Sequence, residues 1–182
     1  ADVIRAAARD IDWDVEAYEI VDAVGEERAP AAAVALAKSG EVSSLMKGHL
    51  HTDTLMQAVV NREHGLRTAR RLSHVFHMTI PDNDRVLMIT DGAVNVKPDL
   101  DTKIDIINNA VEMAHTLGNP NPKVALLSGT ESVLPAMPSS VDAAKAVKRA
   151  NAGEVKNATV DGPFAFDNAL SPEAAALKGM DS

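Results

Sequence analysis

Between Lys47 and His77 the chain gathers Lys47, Arg62, Arg67, Arg70, Arg71 and five of its six histidines, against only Asp53 and Glu63. The whole chain carries a formal net charge of -8, so this stretch is a cationic island in an acidic body. Such residues suit a small anion. Lysine acts as a point charge, and arginine presents a planar fork that matches phosphate oxygens. A solvated helix face that happens to be basic has the same composition, and Arg67, Arg70 and Arg71 do fall at helical spacing in "GLRTARRLSH". Metal binding is the other chemistry that histidines raise. His74 and His77, however, are three apart on an expected strand and face opposite ways. With no cysteine and no His-Glu-x-x-His, the expectation is that no metal is bound.

Polar residues also sit beside glycine at four places that read as strand ends. Lys47-Gly48-His49-Leu50-His51-Thr52-Asp53 follows "VSSLM", and Asp91-Gly92-Ala93-Val94-Asn95 follows "VLMIT". Gly129-Thr130-Glu131-Ser132 follows "VALLS", which closes on Ser128, and Asp161-Gly162-Pro163 follows "ATV". Open α/β sheets take ligands beyond the carboxyl ends of their strands. Glycine there lets backbone approach a ligand, and the N–H groups of a following helix favour an anion. One such junction is ordinary loop chemistry; four in register point to a ligand site. Gly-x-Ser-x-Gly, Gly-x-Gly-x-x-Gly and a Walker loop are all missing, so spacing alone reaches an α/β protein with an anion site and no further.

The elements that must position these residues alternate. Val3, Ile4, Ala7 and Ala8 suggest an opening helix, "YEIVDA" (18–23) a strand, and "RAPAAAVALAKSG" a helix with Pro30 in its first turn and Gly40 at its stop. "VSSLM" (42–46) reads as a strand and "TDTLMQAVV" as a helix that Thr52 or Asp53 caps. "HVFHMTI" (74–80) reads as a strand closed by a Pro81-Asp82 turn. The run "VLMIT" (86–90) suggests a parallel strand buried on both faces. It leads to a helix with Ile104, Ile107, Val111, Ala114 and Leu117 on one stripe and Gly118 at its stop, and then to a strand "KVALLS" (123–128), which together read as a βαβ unit. A helix follows, capped by Ser139 or Ser140 and stopped by Gly153, with Arg149 on its outer face, and "ATVDG" (158–162) is a last strand. The fold class expected is α/β: a mostly parallel sheet flanked by helices.

The 182 residues suffice for one ordinary domain or two small ones, with 46% hydrophobic, 24% charged and only 3% aromatic residues. A chain with no cysteine and no apolar run near ~20 residues has neither a disulfide framework nor a membrane span. A pI near 5.2 and no aromatic platform argue against nucleic-acid binding, and the N-terminus lacks the pattern of a leader peptide. A cytoplasmic protein is expected. The first residue is not methionine and the chain stops at "LKGMDS", directly after a helical pattern, so a piece of a longer protein is expected.

Four stretches then carry a resemblance, in order, across residues 40–178. They are "MKGHLHTDTLMQAVVNREHGLRTARRLSHVF", "LMITDGAVNVKPDLDTKIDIINNAVEMAHTLG", "KVALLSGTESVLPAMPSS" and "VDGPFAFDNALSPEAA". They resemble the phosphate acetyl/butyryltransferase family, above all its butyryltransferase-like branch, which includes the acyltransferase part of fusions with an enoyl-CoA hydratase domain. The resemblance implies two α/β domains around a cleft, related to isocitrate and isopropylmalate dehydrogenases, in a homodimer or higher homo-oligomer. Residues 1–80 would belong to the first domain and lead into the cleft, and 81–182 would form part of the second. The implied reaction moves a short acyl group between coenzyme A and inorganic phosphate, with coenzyme A as substrate and no metal or other cofactor. The Lys47-Gly48 loop with Thr52 then falls where the family holds phosphate, Arg67 and Arg70 border the cleft, Asp91, Asn95, Glu131 and Asp161 match polar family positions without an assigned step, and His49 and Ser128 are further substrate-binding candidates.

The family continues beyond this point to a Ser-Arg pair and an acid that help deprotonate the thiol. The 1–182 piece alone is therefore expected to be inactive. Two other classes remain open: a non-catalytic acyl-CoA-binding regulatory module like that at the C-terminus of malic enzymes, and a dehydrogenase-like relative. The "KGHLHTD" wording speaks against the first. The second lacks its metal-binding aspartates and its nicotinamide site.

Overall fold

The computed structural model describes residues 1–80 and 85–180, so the expected Pro81-Asp82 turn lies outside the described residues. The chain forms two compact units, Ala1–Ala69 and Arg70–Ser182.

The first unit holds three helices, α1 (Asp2–Asp10), α2 (Arg28–Ser39) and α3 (Thr52–Val59). Asp2 in the first turn and Arg9 in the last both suit the dipole of α1. Pro30 lies in the first turn of α2, where a missing N–H costs nothing, and is buried with Val34. Gly40 ends α2 in the left-handed region at φ 83, returning its N–H toward Ala37 and Leu36. Helix α3 starts after His51, which makes no side-chain cap; Thr52 is already helical, so neither Thr52 nor Asp53 is the cap.

Neither 18–23 nor 42–46 forms a strand. A strand needs a neighbour for its backbone groups and cover for one face. Here Tyr18 N–H goes to Val15 O and Ala23 N–H to Val21 O, which are turn bonds, and Met46 is 98% exposed.

The second unit runs β1 (Val75–Thr79), β2 (Val86–Thr90), α4 (Leu100–Thr116), β3 (Lys123–Leu127), α5 (Pro138–Arg149), a π turn (Ala150–Glu154), β4 (Thr159–Phe164), α5's successors α6 (Phe166–Leu170) and α7 (Pro172–Leu177). The sheet is not mostly parallel. β1 and β2 pair antiparallel, with Val75 opposite Thr90, while β3 and β4 pair parallel, with Lys123 opposite Thr159. The parallel crossover is therefore β3–α5–β4, and β2 and β3 belong to different sheets. A short apolar run such as "VLMIT" does not by itself specify a parallel neighbour, and Val86 is 46% exposed.

The core of this unit joins Ile104, Ile107 and Val111 of α4 to Ala146 of α5, Ala150, Val155 and Val160 of β4. Leu117, expected at the end of the α4 stripe, is exposed instead. Asp99 caps α4 by accepting from Thr102 N–H at 2.8 Å. Helix α5 has no serine cap, because Ser140 is wholly buried and staples the preceding loop. Its Oγ accepts from Leu134 N–H at 2.9 Å and bonds Met137 O at 2.9 Å. Arg149 is not a free outer-face residue either. It forks onto Glu154 at 2.8 and 2.6 Å and reaches Asp101 at 2.5 Å, tying the π turn to α4. Where β4 crosses β3, a Cβ on Gly162 (φ 145) would meet Leu126 O at 2.7 Å, so glycine is required there.

Candidate functional site

In the first unit Lys47, Arg62 and Arg67 stand exposed on irregular chain. Lys47 Nζ donates to Leu50 O at 3.1 Å across its own turn, with Gly48 and His49 exposed beside it and Thr52 opening α3. Arg67 is exposed, and no helix runs through 67–74, so helical spacing of Arg67 and Arg70 does not arise. The turn before Arg67 is firm. Asn61 Oδ1 accepts from Glu63 and His64 N–H, both at 2.9 Å, Leu66 N–H returns to Val59 O at 2.8 Å, and Lys38 Nζ reaches Glu63 O at 2.6 Å. A side chain at Gly65 would run into the Val59 and Asn61 backbone. Two depressions lie in this unit, one beside Trp13, Arg5 and Arg9 and one beside Lys38 and His64. Neither contains the Lys47 loop. An open anion contact needs charge and N–H groups rather than depth.

In the second unit several charged groups are held by specific partners. Arg70 donates to Asn109 Oδ1 at 3.3 Å and to Glu112 Oε1 at 2.5 Å. Its neighbours are tied to the same helix: Arg71 N–H to Asp105 at 2.9 Å, and Asn109 Nδ2 to Arg71 O and Ser73 Oγ at 2.8 and 2.9 Å. The arginine expected to border the cleft is thus already paired with a carboxylate on α4.

Asp91, at the end of β2, organises its own loop. Oδ1 accepts from the N–H groups of His74, Ala93 and Val94 at 3.1, 3.4 and 3.3 Å, and Oδ2 from Asn95 N–H and Nδ2 at 2.9 and 2.5 Å. Asn95 Nδ2 also reaches Leu72 O at 2.9 Å. Desolvation pushes the Asp91 carboxyl up, but the bonds from Asn95, His74 and Val94 outweigh it and hold it below the usual carboxylate range. Both oxygens are occupied, so Asp91 and Asn95 act together as a loop clamp.

After β3 the arrangement differs. Ser128 N–H bonds Phe164 O at 2.8 Å, and its hydroxyl meets Ser139 Oγ at 2.9 Å. Glu131 Oε1 accepts from Asn168 Nδ2, from Ala165 N–H at 3.3 Å and from Lys178 Nζ at 3.5 Å. The Asn168 amide, the glutamate's own N–H, Ala165 N–H and the Lys178 charge together outweigh desolvation and hold this carboxyl below its usual range. Asp161 lies within β4, opposite Ala125, and accepts from Gly162 N–H at 2.8 Å, so it does not follow a strand end. Of the four expected junctions, those after β2 and β3 are strand ends. Sequence reasoning passed over Asn168 and Lys178; the signal was an asparagine inside the apolar "FDNAL" turn.

The chain is mixed α/β, with polar loops fixed beyond β2 and β3. More specifically, the chain belongs to the phosphate acetyl/butaryl transferase family, whose model matches residues 7–182. A phosphate acetyltransferase of Rickettsia typhi is 46% identical over 180 residues, covering 98% of this chain and 52% of that protein. A phosphate butyryltransferase of Clostridium acetobutylicum is 44% identical over 179 residues, covering 98% of this chain and 60% of that protein. Among solved structures, a branched-chain phosphotransacylase from Enterococcus faecalis V583 superposes with a TM-score of 0.79 at 37% identity, over 93% of this chain and 60% of that one. The chain thus spans about half to three-fifths of these relatives' length.

Proposed function

We propose that the complete protein carrying this chain transfers a short acyl group, acetyl or butyryl, between coenzyme A and inorganic phosphate. The observation that carries this reading is the family match across residues 7–182, with similar relatives named both phosphate acetyltransferase and phosphate butyryltransferase. In this reading the coenzyme A thiolate attacks the carbonyl carbon of an acyl phosphate. The carbon–oxygen bond to phosphate breaks, and the phosphate leaves with that electron pair. Lys47, Gly48, His49, Thr52 and Arg67 are the groups we assign to phosphate, since they are exposed and make few bonds of their own. Arg70, already paired with Glu112, would more readily hold the 70–73 segment in place. Asp91 and Asn95 shape one strand-end loop, and Ser128, Glu131 and Asp161 border the other.

The same reading includes a two-domain fold of the isocitrate dehydrogenase type with parts at 1–80 and 81–182, a homo-oligomer, a cytoplasmic location and chemistry without a metal. No helix among the described residues is long and apolar enough to cross a membrane. The test is phosphate-dependent release of free thiol from acetyl-CoA and butyryl-CoA by the complete protein, with acyl phosphate formed in equal amount and a chelator without effect. The 1–182 piece alone should be slower by at least about 10²–10⁴-fold, the usual contribution of general acid–base groups. Acyl-CoA binding without turnover by the complete protein would favour a regulatory module instead.

A further inference from the structure

Glu131 and Asp91 are both carboxylates in loops that follow strands of the second unit, but their oxygens are used differently. Asp91 spends both on its own loop. At Glu131 every hydrogen bond from another residue ends on Oε1, with Asn168, Ala165 and Lys178 as donors, and Oε2 receives none among the described residues. The side chain is about a quarter exposed, at 26%. Its main holder, Asn168, is 8% exposed, and the Oδ1 of that amide is buried with no partner. The amide cannot be turned over to satisfy it, because Oδ1 would then face an acceptor-only carboxylate. The carboxylate is thus held through one oxygen by its neighbours, with Oε2 left without a donor from any other described residue.

We propose that Glu131 Oε2 accepts a hydrogen bond from a neutral N–H donor of coenzyme A, and that Asn168 is the positioning residue that turns the carboxylate toward it. The inference rests on the transacylase reading above. An ionised carboxylate repels a phosphate group on any of the substrates, so its partner is a neutral N–H donor set apart from the phosphates. Coenzyme A has neutral N–H donors at the amides of its pantetheine arm and at its adenine amine.

The test uses the complete protein, titrated with coenzyme A, with pantetheine and with adenosine 3′,5′-bisphosphate. Glu131→Gln, which keeps the shape and replaces the open acceptor with a donor, should weaken coenzyme A binding about tenfold or more. The KM for phosphate should stay within about twofold, since no bond to phosphate is lost. A loss carried by pantetheine assigns the amide, and a loss carried by the bisphosphate assigns the adenine amine. Asn168→Ala should shift coenzyme A binding in the same direction by less, again without moving the phosphate KM. It stands in as the test if Glu131→Gln fails to fold. Unchanged coenzyme A affinity in both folded variants overturns the proposal, as does an equal change in phosphate KM. A wild-type protein that binds no coenzyme A removes the transacylase reading itself, and this inference with it.

Discussion

The two compact units differ in what holds their charged residues. In Ala1–Ala69 the buried residues among those described are Ala8, Pro30 and Val34, and Lys47, Arg62 and Arg67 stand exposed on irregular chain. In Arg70–Ser182 a contiguous core of Ile104, Ile107, Val111, Ala146, Ala150, Val155 and Val160 supports loops whose carboxylates have named donors. Asp91 and Glu131 of the second unit are thus held by donors of the chain itself, whereas Lys47 and Arg67 of the first are left to solvent. The opening island divides along the same line: Arg70 and Arg71 are anchored to α4 through side chain or backbone, while Lys47 and Arg67 are exposed.

The sharpest test of that contrast is in the core. Ile107→Ala, at a residue 3% exposed, should cost about 3 kcal/mol in chemical denaturation of the complete protein. Val3→Ala in the first unit, at a residue 82% exposed, should stay within about 0.5 kcal/mol. Comparable losses at both positions would erase the distinction. Next in size is Asp91→Ala, which strips acceptors from Asn95 and His74 and should cost about 2 kcal/mol. Its pH dependence has a defined sign. The folded carboxyl lies below its unfolded value of about 3.9, so its stabilisation is complete above that value and is lost as pH falls through the folded one. The gap between wild type and Asp91→Ala should accordingly close in acid. A gap that persists unchanged well below pH 3.9 would mean the carboxylate charge contributes nothing.

The sequence carried the helices well, because their periodicity and stops are local. Ile104, Ile107 and Val111 fall on one face, and Gly40 and Gly118 adopt the left-handed turns their positions suggested. Strand pairing was less legible. "YEIVDA" and "VSSLM" have the right residues but no partner, and nothing within "VLMIT" says that its neighbour is antiparallel. The site was legible as residue types at loops, and Asp91 and Glu131 were singled out that way. Their division of labour was not, since it depends on whether one oxygen or two accept bonds, and on Asn168, 37 residues beyond Glu131.

The central claim is that Lys47 and Arg67 serve phosphate, and the apparent affinity of the complete protein for phosphate tests it most directly. A charge-assisted hydrogen bond is worth ~1.5–3 kcal/mol, roughly 10- to 150-fold, whereas an exposed surface charge contributes ~0–1 kcal/mol. Lys47→Ala and Arg67→Ala should each raise the phosphate KM about tenfold or more with unchanged melting, while Arg9→Ala, in the last turn of α1, leaves it alone. Three indistinguishable phosphate KM values would contradict the account and leave the island as a solvated surface.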